Sequence, residues 1–298
     1  MIVIGSASLV APFLLRRLAA AGRQGLCLGR RVPEPDRARL PAGFRFRRLD
    51  LEGDAALAAP GSAVLCLAPL WTLPPLLPRL AEARRIVALG STSAAIKAAS
   101  PHEEDRRTAE ALAAAEAAIR TAGEGRAGGP AWTLLRPTLI HDGETDGTVT
   151  AAARIIDRFG IFPILAPAEG LRQPVHADAV AMAMLAALDA PEARNRAFDL
   201  PGGETLTYRA MLLRIAEALG RRVRLVALPE PVLAAGLWSA RRLAGRTLSP
   251  SLFTRMNADQ VFDAGPAGAA FGYDPGPFRP SFMWARRASR RPASQARP

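Results

Sequence analysis

The residues able to do chemistry begin with the turn Gly5-Ser6-Ala7-Ser8-Leu9-Val10-Ala11. Small side chains at positions 5, 8 and 11 keep the Gly-x-x-Gly-x-x-Gly spacing of a dinucleotide-binding turn, with serine and alanine in place of two glycines. Gly5 permits the tight turn, Ser8 is small enough for a pyrophosphate to approach, and Ala11 lets the following helix lie close to the strand. Ser6 and Leu9 complete the part of the turn that would face the phosphates. The next strand ends in Gly29-Arg30-Arg31, where an NAD-selective site usually carries an acid for the ribose 2′-hydroxyl. Two guanidiniums would instead suit a 2′-phosphate through bidentate bonds. Both could equally be solvated arginines in an arginine-rich chain, but the reading taken is NADP(H) over NAD(H). Asp50-Leu51 closes a third strand, and its carboxylate can bind an adenine amino group.

The elements that must position these residues follow from periodicity. Apolar runs predict strands over 2–5, 25–29, 44–49, 63–68, 85–89 and 132–135, alternating with helices over 11–21, 73–83 and 103–121. Strands as continuously apolar as Val64-Leu65-Cys66-Leu67 suit a parallel sheet covered on both faces. The fold class expected is therefore α/β, a Rossmann-type doubly wound parallel sheet with a smaller, mostly helical C-terminal subdomain. The expected division is a Rossmann core over 1–140, with the last sheet strands returning within 172–200, and a substrate subdomain over 141–171 and 201–284. Within the latter, helices are expected over 149–159 and 208–219, a Gly/Pro-rich stretch over 162–170, and two further helices ending near Asn257. Residues 285–298 read as a disordered basic tail.

Composition removes several classes of function. With 49% hydrophobic residues the bulk of the chain is no disordered polymer, and Cys27 and Cys66, each inside an apolar run, form neither a disulfide framework nor a metal site. They read as reduced buried thiols of a cytoplasmic protein. Half of the +12 net charge comes from residues 279–298, which hold six arginines and no acid. That tail reads as solvated, and no nucleic-acid-binding motif accompanies it. The longest uncharged stretch, 55–78, is broken by Pro60, Pro69, Pro74, Pro75 and Pro78, so a transmembrane segment is not expected. Met1 runs directly into a strand, which reads as the absence of a leader. A peripheral membrane role through residues 231–243 and the tail is a third, lesser alternative. A small-molecule substrate is the expected partner, nucleic acid is not, and oligomeric state is not legible.

Taken in order, Gly5 to Ala11, Arg30, Asp50-Leu51, Leu67-Ala68-Pro69, Gly90-Ser91-Thr92-Ser93, Leu135-Arg136-Pro137-Thr138, Pro174-Val175-His176-Ala177-Asp178 and Phe271-Gly272-Tyr273 resemble the extended or atypical short-chain dehydrogenase/reductase superfamily. The likeness is greatest to NAD-dependent epimerase/dehydratase-like proteins and covers nearly the whole chain. It implies cofactor contacts from Leu67, Ala68, Pro69 and Ser91, a nicotinamide-lining loop at Pro137 and Thr138, and Thr92 at the catalytic Ser/Thr position. It implies a helix-anchoring role for His176 and Asp178.

The departures from that family matter as much. Its catalytic members carry a Tyr-x-x-x-Lys pair, in which lysine lowers the tyrosine pKa for proton transfer. Here the only tyrosines are Tyr208 and Tyr273 and the only lysine is Lys97, so no register contains the pair. Aligning Glu116 with the family's glutamate puts Thr108 and Leu112 at the two positions; aligning Glu110 puts His102 and Arg106 there. Candidate substitutes are Thr92, Lys97 and His141, with His102 weighed beside them. Lys97 is singled out as the one lysine among 39 basic residues, although an incidental lysine fits too. His141 follows the nicotinamide-side loop and is expected near the substrate mouth, or on a surface loop. Two functions stay open. One is an NAD(P)(H)-dependent epimerase/dehydratase-like protein or oxidoreductase acting on a nucleotide sugar or small hydroxyl/carbonyl substrate. The other is a non-catalytic NADP(H)-binding redox sensor or structural subunit.

Overall fold

Alternation along the strands builds the layers. A computed structural model describes residues 1–30, 40–50, 53, 55–124, 129–233, 253 and 255–285. In chain order these form β1 (Ile2–Ile4), α1 (Ala11–Ala20), β2 (Gly25–Gly29), β3 (Phe44–Arg48), β4 (Ala63–Cys66), β5 (Arg85–Leu89), α2 (Ser93–Ala98), α3 (Glu103–Glu124) and β6 (Ala131–Pro137). Then follow β7 (Ile140–His141), α4 (Val149–Phe159), β8 (Ile161–Ile164), β9 (Leu171–Arg172), β10 (Val175–His176), α5 (Ala177–Asp189), β11 (Arg196–Leu200), β12 (Leu206–Thr207), α6 (Tyr208–Ala218), β13 (Arg224–Ala227) and α7 (Gly265–Phe271). The chain divides into two compact units, one of residues 1–138, 175–203 and 262–276, the other of residues 139–174, 204–261 and 277–298.

In the first unit seven strands pair in parallel in the order β11-β6-β5-β4-β1-β2-β3. This is the doubly wound sheet expected. Ile2, Ile4, Val64, Cys66, Ile86, Ala88 and Leu134 point to one face, where they meet Leu112, Ala115 and Ile119 of α3. The intervening Val3, Leu65, Val87 and Leu135 are buried on the other face, the side of α1 and α5. The strand order reverses between β1 and β4, which is where ligands of such sheets sit.

Three details differ from the sequence reading. The helix expected over 73–83 is a pair of 3-10 turns, Leu70–Thr72 and Pro74–Leu80. Its prolines remove backbone donors and close off regular α-helix, yet Leu73, Leu76 and Leu80 still reach the core. Lys97, which the sequence reads as part of the loop leaving the fifth strand, lies on α2. The Gly/Pro-rich stretch begins within β8, which pairs in parallel with β13. The helices expected up to Asn257 fall mostly outside the described residues, as do the tail and the calls for Arg31 and Leu51.

The second unit closes over its own core, with Val149, Ala153 and Ile156 of α4, Met211, Leu212 and Ile215 of α6, and Phe278 and Phe282. Arg172 is buried there with its guanidinium bonded to the carbonyls of Leu171, Ala258 and Arg255. Burial lowers its pKa to about 10. This arginine ties the 255–260 segment to β9.

One ion pair joins the two helices on the α1 side of the sheet. Arg17 Nε and Nη2 each donate to Asp178 at 2.6 Å, and this holds the carboxyl below the usual range. Asp178 also lies in the first turn of α5, whose N-cap is the imidazole of His176 accepting from the Asp178 N–H. A depressed folded pKa contributes stability above the ordinary aspartate value of ~3.9 and loses it as pH falls through the folded value. Both side chains are about one-third exposed, so the pair is worth no more than about 1 kcal/mol. Asp178→Asn should therefore lower the melting temperature slightly at pH 7, and the difference should shrink to nothing in acid. Thermal melts of both proteins from pH 7 downwards check this.

Candidate functional site

The parallel sheet brings the sequence-predicted residues of the first unit to one edge. Gly5, Arg30, Asp50, Leu67-Ala68-Pro69, Ser91-Thr92 and Pro137-Thr138 each follow or close the carboxyl end of β1, β2, β3, β4, β5 and β6 respectively. At the reversal of strand order Gly5 has φ +88° and its N–H donates to Leu28 O at 2.9 Å. A Cβ there would stand 2.4 Å from Ala68 N, so two turns meet at a distance only glycine allows. Ser8 N–H closes the turn onto Gly5 O, and Ala11 N–H bonds Ser8 O to open α1. Leu9 is half-buried between them. Ser6 Oγ is buried with no hydrogen-bond partner among the described residues. A buried hydroxyl facing nothing is costly unless a ligand completes it. Such a turn, with a spare donor and a helix start behind it, fits a pyrophosphate-bearing cofactor.

Around this turn the other residues take definite places. Arg30 is exposed just beyond β2, and Asp50 is exposed beyond β3, its carbonyl bonded by Arg79. Leu67 N–H bonds Ile4 O, which registers the β4 loop on β1. Ser91 Oγ accepts from Ser93 N–H, and buried Thr92 donates its hydroxyl to Pro137 O at 3.3 Å. Thr138 N–H bonds Leu200 O. Lys97 Nζ lies 2.9 Å from Asp105 Oδ1, a carboxylate 1% exposed that also accepts from Ser100 Oγ. Lys97 thus ties α2 to α3. His141 belongs to the second unit, where it is buried edge-on against Phe278.

Beneath the edge runs an ion cluster that the sequence did not reveal as such. Glu116 of α3 is buried and takes both arms of Arg136, Nε to Oε1 at 2.8 Å and Nη2 to Oε2 at 2.5 Å. Arg120 approaches the same carboxylate at 3.1 Å, and Asp199 of β11 lies 3.7 Å from Arg136. Burial raises the Asp199 pKa against the pull of Arg136. Gly90 lies against this pair, at a distance where a Cβ would make only ordinary van der Waals contact with both partners. Glu116 and Arg120 lie one helical turn apart on α3, whereas Arg136 and Asp199 come from β6 and β11.

With Glu116 anchored so, the positions eight and four residues earlier can be inspected. Thr108 donates its hydroxyl to Glu104 O within the helix, and Leu112 is sealed in the core. Neither tyrosine substitutes. Tyr273 donates to Pro201 O, and burial raises the pKa of Tyr208 to about 12. The thiols of Cys27 and Cys66 are pushed up to about 11 and about 12 by burial, so neither is a ready nucleophile. No group of metal-ligating side chains occurs among the described residues.

No family model matches the sequence, and no curated protein matches it in sequence. Solved structures do match in fold. An epimerase, Mth375 of Methanothermobacter thermautotrophicus, superposes with TM-score 0.70 at 14% identity, over 96% of this chain and 90% of that one. MoeE5 in complex with UDP-glucose and NAD gives 0.69 at 16%, over 97% and 99%. UDP-glucose 4-epimerase of Thermotoga maritima, with UDP-glucose, gives 0.68 at 16%, over 92% and 93%. The chain has the fold of the NAD-dependent epimerases and dehydratases.

Two substitutions probe this edge of the sheet. Gly5→Ala should cost at least about 2 kcal/mol, from strain at positive φ and the clash with Ala68. Lys97→Ala leaves the buried Asp105 carboxylate without its cation and should cost about 3 kcal/mol. Urea unfolding of each variant against the parent measures both.

Proposed function

We propose that the chain binds a nicotinamide dinucleotide across the β1/β4 reversal. On this reading the pyrophosphate rests on Gly5, Ser6, Ser8 and Leu9, adenosine lies toward Arg30 and Asp50, and the nicotinamide lies toward Ser91, Pro137 and Thr138. Leu67, Ala68 and Pro69 would line the middle. The close approach of Gly5 to Ala68 beside the unpartnered Ser6 hydroxyl carries the proposal. One similar structure holds NAD. The arginine at position 30, with Arg31 beyond the described residues, favours the 2′-phosphorylated cofactor for this chain.

Bound there, the cofactor would supply hydride transfer. The protein would contribute orientation and protons. The activity we infer is epimerase/dehydratase-like or oxidoreductive, on a nucleotide sugar or another small hydroxyl/carbonyl compound, as with the UDP-glucose of two similar structures. Thr92 would stand at the reacting oxygen, while Lys97 is already held by Asp105 and is left a structural role. One observation favours a second reading. In the Glu116 alignment Leu112 is in the core and Thr108 is bonded to its own helix, and in the Glu110 alignment Arg106 is bonded to the Ser100 and Pro101 carbonyls, so neither supplies the usual proton-transfer pair. The chain would then hold the cofactor without turnover, as a redox sensor or structural subunit.

Oxidation of NADPH and NADH by the purified chain, against nucleotide sugars and a carbonyl panel, separates the two. Substrate-dependent oxidation that Thr92→Ala abolishes supports the enzyme; cofactor binding with no oxidation supports the silent binder. Arg30→Ala should weaken NADPH about tenfold and leave NADH little changed, the loss of one charge-assisted contact. Equal losses for both cofactors would remove the 2′-phosphate assignment.

A further inference from the structure

The solvent face of α4 does not look like that of an ordinary surface helix. Ala152, Ala153 and Ile156 are buried on one side, while Arg154, Ile155, Arg158 and Phe159 are exposed on the other. Phe159 is 61% exposed and Ile155 37%. Gly160 then turns the chain in the left-handed region at φ +65°, and Ile161, 46% exposed, opens β8. Ile161 stands in register with Arg224 of β13, preceded by Arg221 and Arg222. Over 151–161 and 220–227 the charged residues are five arginines and one acid, Asp157, which Arg221 holds at 3.0 Å. No ion pair engages Arg154, Arg158, Arg222 or Arg224 among the described residues. Arg158 lies over the Phe159 ring and Arg154 bonds Glu144 O, so these cations stand among the apolar side chains without a carboxylate partner in the described residues. Single exposed apolar side chains are commonplace, whereas three in one patch interleaved with such cations are not.

We propose that this patch of the second unit docks on an anionic lipid surface. Phenylalanine and isoleucine would enter the boundary between headgroups and acyl chains, and the arginines, with long apolar stems, would keep their guanidiniums at the phosphates. Charge complementarity selects this occupant over the others. A second copy meeting the patch by two-fold symmetry would set arginine against arginine. A nucleic acid would satisfy the cations and leave Phe159 and Ile161 in water. The six arginines of residues 279–298 add charge of the same sign to the chain. The inference is independent of the cofactor reading.

The test is flotation of the full chain with vesicles of phosphatidylcholine alone and of phosphatidylcholine mixed with phosphatidylglycerol. Binding is expected to the anionic vesicles only and to weaken with salt. The double substitution Phe159→Ser with Ile161→Ser should reduce it at least about tenfold at an unchanged melting temperature, since both side chains are exposed. Arg158→Gln with Arg224→Gln should flatten the salt dependence. Three outcomes overturn the proposal: no binding to anionic vesicles, binding that the Phe159/Ile161 variant retains in full, or self-association in solution that this variant dissolves.

Discussion

Two turns of the first unit approach each other so closely that one residue type alone fits between them. Gly5 leaves β1 at positive φ with its α-carbon against the Ala68 backbone at the end of β4. Because β1 lies between β2 and β4, this contact sets how those central strands end and where α1 begins. Beside this contact Ser6 Oγ is buried without a partner among the described residues. Stability and ligand chemistry therefore meet at one glycine. A larger residue would move the β4 loop and with it the floor of the candidate cofactor site.

The opposite side of that edge is governed by charge. Glu116 and Arg136 interlock α3 with β6, and Asp199 extends the cluster to β11. A buried carboxylate held by a bidentate arginine fixes the rotation of α3, because breaking the pair would strand a charge in a low-dielectric interior. With the helix so fixed, Leu112 has no choice but the core, and Thr108 turns to its own backbone. A lysine at 112 would have to leave the apolar cluster of Leu70, Leu73 and Ile119. Lys97 is engaged elsewhere, by Asp105.

Much of the fold was legible in the sequence, for physical reasons that can be named. Parallel strands buried on both faces are continuously apolar, so β1, β4 and β5 announce themselves. The turn at Gly5 is legible because spacing and a preceding strand restrict it together. The segment 73–83 misled, since its leucines carry helical periodicity while Pro74, Pro75 and Pro78 forbid the hydrogen bonds of an α-helix. Likewise β8 hides behind Pro163 and short length, and only its pairing with β13 makes it a strand. Partners far apart in sequence were beyond reach. Nothing local to Lys97 points to Asp105, and nothing local to Arg136 points to Glu116 twenty residues earlier or Asp199 far later.

The central claim is that the β1/β4 reversal holds a nicotinamide dinucleotide. Calorimetric titration of the purified chain with NADPH and with NADH tests it most directly. The account predicts saturable one-to-one binding, tighter for NADPH, that Gly5→Ala weakens in a variant still folded at the temperature of measurement. Failure of both cofactors to bind the parent chain would contradict the account, leaving the Rossmann-type sheet as architecture without that ligand.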